Sequence, residues 1–132
     1  MKQYFLTACI GIVLLSCSTE KEEVDPTLPL LTGNWNWIES SGGIDGRTET
    51  PETTGNSITL EISADSINTY INGELQSTQG YAIETHESIL FGEPREMIVY
   101  EDQFRQTILI TGNRLVLYDE CTDCFQHEYE RE

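Results

Sequence analysis

Residues 56–79 read Asn-Ser-Ile-Thr-Leu-Glu-Ile-Ser-Ala-Asp-Ser-Ile-Asn-Thr-Tyr-Ile-Asn-Gly-Glu-Leu-Gln-Ser-Thr-Gln, and this stretch decides the fold class. Over 56–63 the chain alternates: Asn56, Ile58, Leu60 and Ile62 take one face, and Ser57, Thr59, Glu61 and Ser63 the other. Successive side chains of a strand point to opposite faces, so this alternation predicts a half-buried β-strand. Ala64-Asp65 turns the chain into a second strand over 66–71. Asn72-Gly73 then offers two residues that tolerate the positive φ of a tight hairpin turn, and a partner strand follows over 74–79.

The same grammar runs outward in both directions. Toward the N-terminus, residues 33–40 form a strand with Trp35 and Trp37 on one face, and Ser41-Gly42-Gly43 opens a long loop through Pro51 to Gly55. Toward the C-terminus, Gly80 leads into a strand over 81–85, with further strands over 88–91, 96–101 and 106–111. Gly112-Asn113 turns into 114–119, and a final strand over 124–131 places Phe125, His127, Tyr129 and Arg131 on one face. Isoleucine, threonine, tyrosine and valine dominate, and turn residues recur at short intervals, so the chain is all-β. A meander of about eight strands leaves two open edges unless it closes, and open edges invite aggregation. The expectation is an antiparallel up-and-down β-barrel, with a sandwich as the alternative. A core filled by Trp37, Ile58, Leu60, Ile62, Tyr81, Ile83, Ile98 and Leu117 would point to an interaction protein, and a cavity of several hundred Å³ to a ligand-binding module.

The N-terminal segment has a different grammar. Lys2 supplies a positive start, residues 4–15 form an uncharged apolar run, and Ser16 is small, which is the layout of a secretory signal peptide. About 12 residues of helix span only about 18 Å, too short for a hydrocarbon core of about 30 Å. Leu14-Leu15-Ser16-Cys17 resembles the lipobox of bacterial lipoproteins. That resemblance implies cleavage after residue 16 and acylation of Cys17, and several acyl chains make a stable anchor to the outer membrane. Lys21-Glu22-Glu23 is similar to the short lysine-plus-acidic signal that sends some Gram-negative lipoproteins to the cell surface. Surface display is thus expected ahead of the periplasmic face. Residues 17–30 then form a polar, proline-containing tether, and residues 31–132 the barrel domain.

Seven basic residues face 23 acidic ones, for a formal charge of −16, and loss of Lys2 with the leader takes it to −17. So acidic a surface repels phosphate backbones, which argues against nucleic-acid partners. The acidic residues fall mostly at alternate strand positions, as on a solvated outer face.

The domain opens with Gly33-Asn34-Trp35, which resembles the Gly-x-Trp signature of the lipocalin first strand. Ser41-Gly42-Gly43, Thr48 to Pro51, Asp119-Glu120-Cys121 and Tyr129-Glu130-Arg131 extend the resemblance to the lipocalin-like lipoproteins of Gram-negative bacteria. It implies that Trp35 plugs the closed end of the barrel under a basic residue from a late strand, Arg131 or, less naturally, Arg114. It also implies a small apolar or amphipathic ligand in the barrel.

Cys121-Thr122-Asp123-Cys124 lies in a turn between strands rather than at a helix start, unlike a thioredoxin-type pair. In an exported chain a disulfide is the leading reading, ahead of free thiols and of a metal or redox pair. His86 and His127 are the only histidines and neither has zinc-finger spacing, so no metal or cofactor is expected. His127, by parity, joins Trp37 and Tyr129 as a candidate ligand contact. No Gly-x-Ser-x-Gly or His-Glu-x-x-His pattern occurs, and the expectation is a binding module, not an enzyme. The alternative is a filled barrel that contacts an envelope protein through its loops.

Overall fold

The computed structural model describes residues 25–132; the expected signal peptide, Cys17 and most of the expected tether lie outside the described residues. Nine strands follow in order: β1 (Gly33–Gly42), β2 (Arg47–Glu49), β3 (Ile58–Ile62), β4 (Ser66–Ile71), β5 (Glu74–Glu87), β6 (Pro94–Tyr100), β7 (Arg105–Thr111), β8 (Arg114–Asp119) and β9 (Phe125–Arg131). Two four-residue helices accompany them, α1 (Leu28–Leu31) and α2 (Pro51–Thr54). All pairings are antiparallel, and β9 returns to pair with β1. The sheet therefore closes into an eight-stranded up-and-down barrel. The short β2 is an addition: residues 33–36 of β1 pair with β3, while Ser40, Ser41 and Gly42 pair with β2 along the same edge.

The Asn72-Gly73 hairpin forms as its residues dictate, with Asn72 at φ 52° and Gly73 at φ 81°. Ile58, Leu60 and Ile62 share the interior with Ile67, Ile98, Leu115, Leu117 and both tryptophans, while Tyr81 and Ile83 pack against that cluster. Apolar burial of this kind is the dominant favourable term in folding, and here it fills mainly one end of the barrel.

Three elements differ from the sequence expectation. Residues 74–79 and 81–85 are one strand: β5 pairs with β4 as far as Gly80 and with β6 from Tyr81 onward. Gly80 is a site of close approach, since a Cβ there would lie 2.3 Å from Glu101 Oε1. Residues 88–91 are a turn rather than a strand. Ser88 Oγ accepts from the amides of Leu90 and Phe91 and donates to Glu120, which spends on a turn the groups that a ladder would need. Finally, the tether assigned to 17–30 overlaps α1, whose Leu31 is fully buried under the barrel. The long loop before β3 also carries local order, because Thr50 and Thr53 form a reciprocal cap on α2.

One irregularity sets the interior. The register of β1 against β9 shifts between Trp37 and Glu39. A bulge adds a residue to one strand and reverses the alternation beyond it. Trp35 and Trp37 point inward before the bulge, and Ser40 is buried after it. Strict alternation would have placed Glu39 in the lumen.

Candidate functional site: the barrel lumen

The barrel has a sealed end and an open one. At the sealed end Trp35 is fully buried, and its indole N–H donates to Leu31 O of α1 at 2.8 Å. The Arg131 guanidinium lies over the indole, 4.2 Å from the ring centroid. Its Nη1 donates to Thr32 O at 3.0 Å and Nη2 to Leu30 O, so α1, β1 and β9 are tied together at one point. Gly33 has φ 129°, and a Cβ there would meet Arg131 Nη1 at 2.8 Å. The glycine of the Gly-x-Trp start therefore makes room for the arginine as well as for the bend. Arg114, the less natural partner, instead pairs with Glu128 on the outer surface.

The other end encloses a cavity of about 400 Å³ that opens to solvent. Its apolar wall comes from Trp37, Ile58, Leu60, Ile67 and Leu117, and Arg47, Glu49, Thr54 and Asn56 rim the mouth. Phe125, His127 and Tyr129 reach it from β9, as the parity of that strand requires. All three candidate ligand contacts, Trp37, His127 and Tyr129, thus line one space.

A chain of hydrogen bonds crosses this wall. Trp37 Nε1 donates to Ser40 Oγ at 2.9 Å, and Ser40 Oγ lies 2.7 Å from His127 Nδ1. His127 Nε2 lies 3.3 Å from Asp119 Oδ2, Gln106 Nε2 donates to Asp119 Oδ1 at 2.8 Å, and Tyr100 Oη donates to Gln106 Oε1 at 2.7 Å. Burial pushes the Asp119 carboxyl upward, but hydrogen bonds from His127 and Gln106 outweigh it and hold the group below its ordinary value. Asp119 is thus an acceptor, which assigns the proton of a neutral His127 ring to Nε2 and leaves Nδ1 to accept from Ser40.

Ser40, His127 and Asp119 stand in the hydrogen-bond order of nucleophile, base and orienting acid. Sequence reasoning missed this grouping. Asp119 shares its parity with Leu115 and Leu117 and could have been found from the strand pattern, whereas Ser40 needed the bulge. The hydrogen bonds of the set link β1, β8 and β9 across the wall. Ser40 is only 5% exposed, and its oxygen already accepts the indole N–H. The arrangement braces the lumen wall, and Ser40 is among the residues that line the cavity.

Tyr129 is the exception. It is 8% exposed, and burial, followed by the nearby Tyr100 and Asp119, pushes its hydroxyl well above the ordinary range. Its hydroxyl donates to no protein acceptor among the described residues and is not cut off from the cavity it lines. Tyr100, likewise raised by burial first, has already committed its proton to Gln106.

Beside the mouth, Cys121 and Cys124 form a disulfide with Cα atoms 5.5 Å apart, in the turn between β8 and β9. The turn sits between Asp119 and Phe125, and Cys124 O accepts from Gly43 N at 3.2 Å, so it also holds the loop after β1. Among the described residues no group of three or more His, Cys, Asp or Glu side chains is placed to hold a metal ion. No helix among them is long and apolar enough to cross a membrane. Comparison of the chain with protein-family models, with curated proteins and with solved structures gives no match.

Proposed function

We propose that this chain is an outer-membrane lipoprotein, anchored through Cys17, whose lipocalin-like barrel takes a small apolar or amphipathic ligand into its open end. The observation that carries the reading is the cavity of about 400 Å³, within the range of small-molecule sites and walled by apolar side chains with a few polar groups. Trp35 under Arg131 at the opposite end supports the lipocalin-like part, because it leaves one end of the barrel for entry. The anchor rests on Leu14-Leu15-Ser16-Cys17 and the surface address on Lys21-Glu22-Glu23.

A direct test uses the chain from Ser18 onward, which omits the acylated Cys17 and contains the whole barrel, and an apolar dye that accepts energy from tryptophan. Saturable transfer from Trp37 is expected, and Leu117→Trp, which fills the cavity, should abolish it. Unchanged transfer in the filled variant would place the dye elsewhere and remove the lumen reading. For the anchor, metabolic labelling with a palmitate analogue should mark the wild type and not Cys17→Ala. Protease treatment of intact cells then separates surface display from the periplasmic face.

A second reading, an accessory protein that binds an envelope partner, draws on the outer wall. There Ile89, Leu90 and Phe91 are exposed at 65%, 45% and 39% on the turn after β5. Charge substitution at Ile89 should impair function under that reading and leave dye uptake intact.

A further inference from the structure

The lumen reading leaves the nature of the ligand open, and the polar groups of the wall narrow it. A ligand that enters the cavity meets a wall in which some polar groups are already engaged, with Thr69 and Gln79 also on the lining. Ser40, His127 and Tyr100 donate to protein acceptors, while the Tyr129 hydroxyl lines the cavity and donates to no protein acceptor among the described residues. Asp119 stands behind the wall, where Gln106 and His127 hold its carboxylate. Glu49 adds a second negative charge at the mouth, and the cation there, Arg47, is engaged by Glu49 at 3.2 Å and Asp45 at 3.9 Å. Its guanidinium also lies 5.4 Å from the Phe125 ring centroid.

We propose that the lumen selects an uncharged single-chain amphipath whose head carries a hydrogen-bond-accepting oxygen seated on Tyr129, and discriminates against the anionic form of the same molecule. The inference rests on the lumen reading above. An acceptor oxygen seated on Tyr129 gives that hydroxyl a partner inside the cavity. A carboxylate head would accept the same bond, but it would add negative charge to a site with Asp119 behind the wall and Glu49 at the mouth, where Arg47 is already shared between Glu49 and Asp45. The field of a chain with formal charge −16 works in the same direction at long range. At about 30 Å³ per atom, as for liquid water, the cavity holds about a dozen non-hydrogen atoms, the size of a ten-carbon amphipath.

The experiment is a set of titrations of the chain from Ser18 onward with 1-decanol, methyl decanoate and decanoate at pH 7.5, read by displacement of the dye. The alcohol and the ester are expected to bind, with decanoate about 10- to 100-fold weaker. Tyr129→Phe, which keeps the ring and the volume, should weaken the ester by about 10-fold. Asp119→Asn, checked for folding by circular dichroism, should bring decanoate toward the ester. Equal binding of ester and decanoate to the wild type overturns the selectivity and leaves the lumen reading in place. Ester binding undiminished by Tyr129→Phe removes the assigned head-group site. If none of the three displaces a dye that does bind, the ligand class falls alone, and if the dye itself does not bind, the lumen reading falls with it.

Discussion

Trp35 and Trp37 lie two residues apart on one strand and face the same interior, yet their surroundings are opposite. Trp35 is enclosed completely, with an arginine across its face and a plug helix on its indole N–H. Trp37 forms part of a cavity wall, and its N–H enters a polar chain that leads to a histidine and a carboxylate. One end of the barrel is devoted to stability and the other leaves room. The difference teaches that a residue type and its inward direction do not set its role; what closes over it does.

The largest expected effect is at the sealed end. Trp35→Ala should destabilise the domain by about 3–5 kcal/mol, since a fully buried aromatic leaves a cavity that its neighbours cannot fill. Trp37→Ala should cost clearly less, because the space beside it is already open. Urea unfolding measures both, and equal losses would erase the contrast between the ends.

Arg131→Ala comes next, at about 2–3 kcal/mol. It loses a partly desolvated cation–π contact and two charge-assisted hydrogen bonds to α1 and the residue after it. Arg131→Lys should recover only part, for lack of a planar stacking surface. Arg114→Ala, whose partner Glu128 is a surface contact, should cost under about 1 kcal/mol. Similar losses at 131 and 114 would mean that the guanidinium does not seal the barrel.

At the open end, reduction of Cys121–Cys124 should cost about 2 kcal/mol by the loop-entropy argument for so short a ring. It should also disturb dye binding, since the bridged turn sets Asp119 and Phe125. Alkylation before and after reductant, read by intact mass, should differ by two groups. Full alkylation without reductant would exclude the bridge.

Acid sharpens the comparison further. For Glu120, burial raises the carboxyl, but hydrogen bonds from Ser88 and Thr107 and from the amides of Ile89 and Leu90 hold it below its ordinary 4.5. Asp119 is held below its ordinary 3.8 in the same sense. A lowered folded pKa contributes stability that is present above the ordinary value and lost as pH falls through the folded one. Asp119 ends β8 and Glu120 follows it at the open end, so acid below about pH 4.5 should loosen that region while the Trp35–Arg131 contact persists. Glu120→Gln should flatten the acid limb of the stability curve, and an unchanged limb would remove the assignment. Glu128 behaves in the opposite sense. Burial first, then the neighbouring Glu39, raises its carboxyl, so its contribution is favourable at low pH and declines as pH rises through the folded value. Glu128→Gln is therefore the smallest effect, a slight gain at neutral pH seen in the urea midpoint.

The sequence by itself determined the strand content, the hairpin at Asn72-Gly73 and the inward face of most strands. These depend on local φ preferences and on an alternation with period two, and both are written in neighbouring residues. The same parity brought Trp37, His127 and Tyr129 to one lumen. Only the tertiary structure decided the rest. The bulge after Trp37 is a mismatch between two strands separated by about ninety positions, so nothing near residue 38 announces it, yet it buries Ser40 instead of Glu39. Residues 88–91 have strand-like composition, but Glu120 supplies acceptors that hold them in a turn. The extent of the empty space at the open end also lay beyond local pattern, because a cavity is the volume that all eight strands together fail to fill.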